Sequence, residues 1–350
     1  MTPDIEAYCE IVRAAIRNGI ALRIRGSGSK DFYGQRLEGE ILDVSGYRGI
    51  VDYEPTELVI TARAGTPIGE IETALADAGQ ALAFEPPRFS GAGTIGGAIA
   101  AGLSGPRRAY AGAARDFILG TRVIDGKGND LAFGGRVIKN VAGFDVSRLM
   151  AGALGTLGVV TEVSLKTLPK PPAQATLRFT LSEADAIRRM NQWAGKPLPL
   201  SATCFCAGIL TVRLSGAESA LRAAIGKLGG EDVAGGVAFW DALRNQTDGF
   251  FSTPTLWRVS LPATSPPLDV SVPQLIEWGG GLRWLAGQVD AVALRAKVTA
   301  LGGHATLFRA TDKSAGVFQP LAPGMAALHQ RLKCSLDPCI IFNRGRMYDF

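Results

Sequence analysis

Apolar residues recur at helical spacing over Ile5–Asn18, where Ile5, Tyr8, Val12, Ala15 and Ile16 share one face and Gly19 marks the stop, so the chain is predicted to open with a helix. A short apolar strand, Ala21–Arg25, follows and runs into Gly26-Ser27-Gly28-Ser29-Lys30. Further strands are predicted over Glu40–Val44, Glu57–Ala64, Phe117–Ile124 and Leu157–Leu168. A helix is predicted from Thr66-Pro67 to near Gly79, with Thr66 as N-cap and Pro67 in the first turn. Glycines break the pattern over Gly91–Gly105, and Gly126-Lys127-Gly128 reads as a tight turn.

Lys170-Pro171-Pro172 is the clearest linker, and glycine thins from 26 residues before it to 18 after it. Beyond it, helical segments (Glu183–Trp193, Glu218–Leu228, Asp290–Leu301) alternate with strands (Thr211–Leu214, Leu256–Leu261, Leu282–Leu285). That order predicts an α+β arrangement in which helices cover one face of a mainly antiparallel sheet. The expected division is a first domain over 1–170, a second over 171–325, and a tail over 326–350 that starts as a helix and becomes irregular from Asp337-Pro338.

Composition narrows the class. With 350 residues, 47% of them hydrophobic and 20% charged, the chain can bury sizeable cores, and no short repeat suggests collagen, a coiled coil or a solenoid. Five cysteines are too few for a secreted disulfide scaffold, and neither Cys204-x-Cys206 nor Cys334-x4-Cys339 has iron–sulfur spacing. The longest uncharged stretch, Phe89–Pro106, has 18 residues but six are glycine, so it does not read as a membrane span. The N-terminus has no apolar targeting core, and a cytoplasmic protein is expected. The net charge of +5 lies wholly in the second half, which holds 18 basic and 13 acidic residues against 19 and 19 in the first 170. No basic run interleaved with aromatics marks a nucleic-acid groove. The positive half suits an acidic substrate, a partner subunit or anionic lipid, or is simply a solvated basic face.

Three segments carry candidate chemistry. In Arg25-Gly26-Ser27-Gly28-Ser29-Lys30, successive N–H groups after a strand can point at one anion, with Ser hydroxyls and Lys30 adding donors, as a pyrophosphate requires; a plain turn has the same composition. In Gly93-Thr94-Ile95-Gly96-Gly97-Ala98-Ile99-Ala100, small residues let backbone lie against a planar or phosphate-bearing ligand, or against another helix or strand. The third runs from Lys139-Asn-Val-Ala-Gly-Phe-Asp145 through Gly155-Thr-Leu-Gly to Val160-Thr161-Glu162 and offers main-chain groups to a heterocycle edge.

The order and spacing of RGSGS, GTIGGAIA and KNVAGFD…GTLGVVTEV resemble the flavin-binding domain of the vanillyl-alcohol oxidase, or p-cresol methylhydroxylase (PCMH), family. EPP at Glu85–Pro87, GPRR at Gly105–Arg108, RDFILG, LWR, GGHAT and the tail DPCIIFNRGRMY are similar to the FAD-binding E subunits of bacterial glycolate oxidases. The resemblance implies a two-part PCMH-type FAD-binding domain followed by an α+β cap domain, with the tail returning to the flavin domain. It implies that Arg25–Lys30 hold the pyrophosphate of FAD and that Pro86, Pro87, Thr94, Ile95, Gly96 and Gly97 line pyrophosphate and flavin. Ala100 and Asp116 would sit nearby, Val160 and Thr161 would meet the adenine–ribose side or the flavin edge, and Asn343 would return to the flavin site.

The same resemblance implies glycolate oxidation to glyoxylate within a complex, the partners being a second flavin subunit and an iron–sulfur subunit that passes electrons toward membrane quinone. Membrane association at the inner membrane would then be indirect. No histidine precedes His304 and no cysteine lies between Cys9 and Cys204, so FAD is expected to be non-covalent. Arg258 is a candidate carboxylate partner and His304 a candidate base, against a structural arginine and a structural histidine. With His304 and His329 alone, 25 residues apart, a histidine–metal cluster is not expected. Trp240, Trp257, Trp278 and Trp284 read as core or partner-interface aromatics. The alternatives are a non-catalytic flavin-binding or electron-relay subunit, and a stand-alone FAD-dependent 2-hydroxy-acid dehydrogenase.

Overall fold

The computed structural model describes residues 4–89, 93–135 and 145–349. It divides into two compact units, one formed by residues 1–104, 113–169 and 320–350 and the other by 105–112 and 170–319. Most of the KNVAGFD motif lies outside the described residues.

In the first unit the opening helix spans Ile5–Asn18, with the Asp4 carboxylate capping it and Gly19 closing it at φ +65°. The strand Leu22–Arg25 pairs in parallel with Glu40–Asp43, and Leu22 also bridges Phe342 of the tail. Tyr8, Val12, Leu22, Leu42, Ile124, Val159, Ile341 and Phe342 share one core. The tail is therefore integral to this layer.

An antiparallel five-stranded sheet follows, ordered Ile50–Glu54, Val59–Arg63, Val159–Lys166, Ile118–Ile124 and Asp130–Gly134. Its first strand is missed by the sequence pattern because Ile50–Glu54 shows a half-exposed, charged face with little alternation. The helix after it starts at Ile68, one residue later than the predicted cap implies, and Pro67 stands at the cap. The Thr66 hydroxyl instead accepts from Gly49 N at 2.8 Å and donates to Arg63 O at 2.7 Å, so it ties two loops together. The glycine-rich segment forms a seven-residue helix, Ile95–Ala101, capped by Thr94.

The second unit is an antiparallel eight-stranded sheet, ordered Glu231–Asp232, Ala173–Thr180, Ile209–Gly216, Leu200–Cys206, Gln274–Glu277, Leu282–Ala286, Leu256–Ser260 and His304–Arg309. Helices Glu183–Ala194, Glu218–Leu228 and Ala291–Ala300 contribute to the cores on one face, where Leu177, Val212, Phe205 and Ile276 form one cluster and Trp257, Val259, Leu285 and Leu307 another. Because successive side chains alternate, the other face presents a different set. One row across it reads Cys206, Leu275, Trp284, Arg258 and Thr306; the next reads Cys204, Glu277, Leu282, Ser260 and His304.

Candidate functional site

The loop after the first strand makes the floor of a narrow cleft. Arg25–Lys30 line it together with Thr94, Gly97, Ala100, Leu154, Asn343 and Arg346. Among the described residues, the N–H groups of Gly26, Ser27, Gly28 and Lys30 donate to no protein acceptor. Unpaired N–H groups in succession form an anion-binding concavity. Gly28 sits at φ +74°, where a Cβ would overlap the Arg25 guanidinium, and a Cβ on Gly26 would fall 2.7 Å from Thr94 Oγ1. Glycine at both positions keeps the concavity open and lets a ligand approach the backbone.

Charge converges on the same place. Asp31 holds Arg23 at 2.5 Å and Arg25 at 2.9 Å, which fixes the root of the loop. Arg346 donates to Lys30 O at 3.0 Å, and burial lowers its pKa to about 10. Lys30 points 5.5 Å from the Phe89 ring centroid, and burial lowers its pKa to about 8. A buried ammonium with so low a pKa is destabilised in its charged form, and an anion in the cleft would relieve it.

Asn343, in the left-handed region at φ +43°, clamps the cleft from the tail side. Its Oδ1 accepts from Ile24 N at 2.8 Å and its Nδ2 donates to Leu154 O at 2.6 Å. Behind it lies a cation buried at 5% exposure, Lys333, which donates to Asp337 at 2.6 Å, Thr156 O at 2.6 Å and Phe342 O at 2.8 Å. Asp337 also accepts the N–H groups of Ile341 and Phe342. A cavity of about 410 Å³ shares Asn343 with the cleft and is lined by Arg115, Thr156, His329, Arg344 and Tyr348 among others.

The remaining predicted residues of this unit lie outside the cleft lining. Ile95 is fully buried and Gly96 packs on Ala64, their N–H groups bonded to Thr66 O and Ala64 O. Pro86 and Pro87 are buried and do not line the cleft. Val160 pairs with Val123 within the sheet, and the Thr161 hydroxyl and carbonyl are taken by Arg122 O and Ala64 N. Asp116 is exposed, with its carboxylate on Ala113 N at 2.8 Å. Arg346, Asp31 and the Lys333–Asp337 pair were missed as individual residues, although NRGR within the quoted tail already contained Arg346.

In the second unit Arg258 and His304 share the face of the sheet opposite the helices, His304 opposite Ser260 and Arg258 opposite Thr306. Burial, and then the Arg258 charge, lower the pKa of His304 below its ordinary value. Trp278 and Trp284 are buried at this face beside Arg258, whereas Trp257 lies in the core under the helices. No group of three or more His, Cys, Asp or Glu suited to a metal occurs among the described residues.

A family profile described as an FAD binding domain matches residues 3–133. The chain is 50% identical over 344 residues to the glycolate oxidase subunit GlcE of Escherichia coli K12, spanning 98% of this chain and 97% of that protein. It is 40% identical over 105 residues, 29% of this chain and 22% of the relative, to the glycolate oxidase subunit GlcD of Bacillus subtilis 168. In fold it is similar to 4-ethylphenol oxidase from Gulosibacter chungangensis, with TM-score 0.72 and 14% identity over 99% of this chain and 88% of that one. FAD is the cofactor that the matched domain binds, and the cleft fits its diphosphate: free N–H groups, two glycines where a Cβ would intrude, and cations with no acid among the lining residues except the already paired Asp31. The chain belongs to the GlcE family of glycolate oxidase subunits, flavoproteins with a PCMH-type FAD-binding domain.

Proposed function

We propose that the chain is the FAD-binding subunit of a glycolate oxidase (glycolate dehydrogenase) assembly, acting on the CH–OH group of a 2-hydroxy acid and converting glycolate to glyoxylate. The near full-length identity to GlcE carries this. Arg25–Lys30, Thr94, Gly97, Ala100 and Asn343 would hold the diphosphate of FAD. At about 80 Å³ the cleft is far below the roughly 300 Å³ of a small-ligand pocket, so it suits a diphosphate and not a ring system. The adjoining cavity is large enough for a ring. Pro86, Pro87, Ile95, Gly96, Val160 and Thr161 would shape the walls from behind, with Asp116 nearby. The absence of histidine before His304 and of cysteine between Cys9 and Cys204 supports non-covalent binding.

FAD, when bound, supplies the two-electron acceptor for the hydride that leaves the carbinol carbon. Arg258 would pair with the substrate carboxylate. His304, whose pKa is lowered by burial and then by the Arg258 charge, would take the hydroxyl proton. The chain would work with a second flavin subunit and an iron–sulfur subunit, since its own cysteines are spaced for no cluster. No helix among the described residues is long and apolar enough to cross a membrane, and membrane contact is assigned to the partners. The domains would be the flavin domain 1–170, the cap 171–325 and the tail 326–350, except that residues 105–112 group with the cap and 320–325 with the flavin unit.

One observation favours a second role, that of an electron-relay subunit: two histidines in 350 residues leave little acid–base chemistry. The visible spectrum of the purified, FAD-incubated chain decides between them. Flavin bands that bleach on anaerobic addition of glycolate support the dehydrogenase, and bands that stay oxidised support the relay. Absence of flavin bands overturns both.

A further inference from the structure

The end of the tail is held in two different ways. Residues 341–343 are its root: Ile341 and Phe342 stand at 1% and 0% exposure in the core of the first unit. Leu22 N–H donates to Ile341 O at 2.7 Å and Asn343 N–H to Leu22 O at 2.9 Å, so the root is paired with the first strand. Beyond it the chain turns, with Asn343 at φ +43°, Gly345 at φ +61° and Arg346 N–H donating to Asn343 O at 3.1 Å. Residues 344–349 are half-buried or exposed and belong to no helix or strand.

These six residues lie along the loop that follows the Arg25–Lys30 turn. Gln35 N–H donates to Arg346 O at 2.8 Å, and Arg36 N–H to Gly345 O at 3.2 Å. Arg346 Nη2 donates to Lys30 O at 3.0 Å, and Arg36 pairs with Asp349. Gly34, at φ +96°, leaves room for this crossing, since a Cβ there would fall 2.7 Å from Arg346 Nε. The outer pair joins side chains 54% and 72% exposed, and an ion pair in water holds weakly. A surface segment fastened by a few polar bonds opens far more readily than the buried root beneath it.

The same residues wall two spaces. Arg346 lines the narrow cleft, and Arg344, Gly345, Met347 and Tyr348 line the cavity of about 410 Å³. At about 80 Å³ the cleft admits no ring. A cofactor with its diphosphate in the cleft and a ring in the cavity therefore has to pass the wall that the two spaces share.

We propose that residues 344–349 form a strap that unlatches from the 30–36 loop to let FAD enter and leave, pivoting at Asn343 while the root stays paired with Leu22. This rests on FAD occupying the cleft and the cavity, and it adds control of cofactor exchange to that site. FAD enters and leaves only through the open state, so both rates scale with the fraction of time the strap is open.

Two variants of the exposed outer pair test this. Arg36→Gln and Asp349→Asn each break the pair, but they change the charge near the cleft in opposite directions. Stopped-flow quenching of flavin fluorescence gives the rate of FAD association with the FAD-free chain, and fluorescence recovery on dilution gives the rate of release. Both variants are expected to raise both rates about two- to fivefold, the range an exposed pair allows, with Kd almost unchanged. The charge-swapped protein, Arg36→Glu with Asp349→Arg, should return both rates toward wild type. Electrostatic attraction alone would slow association in Arg36→Gln and speed it in Asp349→Asn; that pattern, unchanged rates, or faster release without faster association overturns the strap. Wild type that binds no FAD overturns the flavoprotein reading and the strap with it, whereas FAD binding with rates that follow charge alone overturns only the strap.

Discussion

Asn343 accepts the backbone N–H of Ile24 on its Oδ1 at 2.8 Å, across 319 positions of sequence. Its Nδ2 donates to Leu154 O at 2.6 Å, so one side chain joins the first strand, the residue before the GTLG segment and the tail beside the Arg25–Lys30 cleft. Gly155 lies against it at φ +69°, where a Cβ would fall 2.7 Å from Nδ2, leaving room for this side chain and no more.

Asn343→Leu fills similar space without either bond. It strands the Ile24 N–H and the Leu154 carbonyl, at about 1–3 kcal/mol for each buried group left without a partner. The expected outcome is a lower unfolding temperature and FAD affinity weakened tenfold or more, read by thermal scans and flavin fluorescence. A variant equal to wild type in both would show that the clamp is dispensable.

Lys333 and Asp337 stand at 5% and 0% exposure and hold the tail by several bonds. Lys333→Met leaves a buried carboxylate uncompensated and should cost about 3–5 kcal/mol, whereas Lys333→Met with Asp337→Asn removes both charges and should recover much of the loss. Urea denaturation midpoints measure this. A double variant less stable than Lys333→Met would refute it.

Lys30 sets a pH dependence. Its pKa in the folded chain is about 8 against an ordinary 10.5. Between these values the unfolded chain holds a proton that the folded chain has released, so the FAD-free protein gains stability as pH rises through that window. With Lys30 beside the diphosphate as proposed, FAD affinity moves the other way, because its charge is lost; a drop of roughly tenfold from pH 7 to 9.5 corresponds to about one charge-assisted hydrogen bond. Arg346, with a pKa of about 10, stays mostly charged over this range. Lys30→Arg should bind FAD with little pH dependence, and titrations of both proteins across pH show whether the slope belongs to Lys30.

Gly28→Val places a β-branched residue at φ +74° and drives its Cβ into the Arg25 guanidinium. Strain of this kind costs about 1–3 kcal/mol, and the loop must shift to accept it. FAD binding should fall below detection at micromolar protein while circular dichroism keeps its shape. Tight FAD binding by this variant would remove the loop from the cofactor site.

Local signals carried much of this structure. The helix Ile5–Asn18 announced itself by its apolar face and Gly19, and Glu218–Leu228 by its periodicity. The loop Arg25–Lys30 stood out only together with the segments that follow it, because glycine and serine after a strand also make an ordinary turn. What sequence spacing hid were partnerships across the chain. Arg108 sits in the GPRR segment far from Trp278, and nothing local couples them. Lys333 looks like any lysine near a helix C-terminus, and only the path of the tail shows it buried. Ile95 and Gly96 share a motif with Thr94 and Gly97, yet the turn of the helix aims them at Thr66 and Ala64 instead of the cleft.

The most direct measurement is an experimental structure of the FAD-loaded chain. The diphosphate is predicted within hydrogen-bond reach of the N–H groups of Ser27–Lys30, with Lys30 beside it and Asn343 still bonded to Ile24 and Leu154. A diphosphate bound elsewhere, with the Arg25–Lys30 loop free of ligand, would contradict the assignment of this cleft.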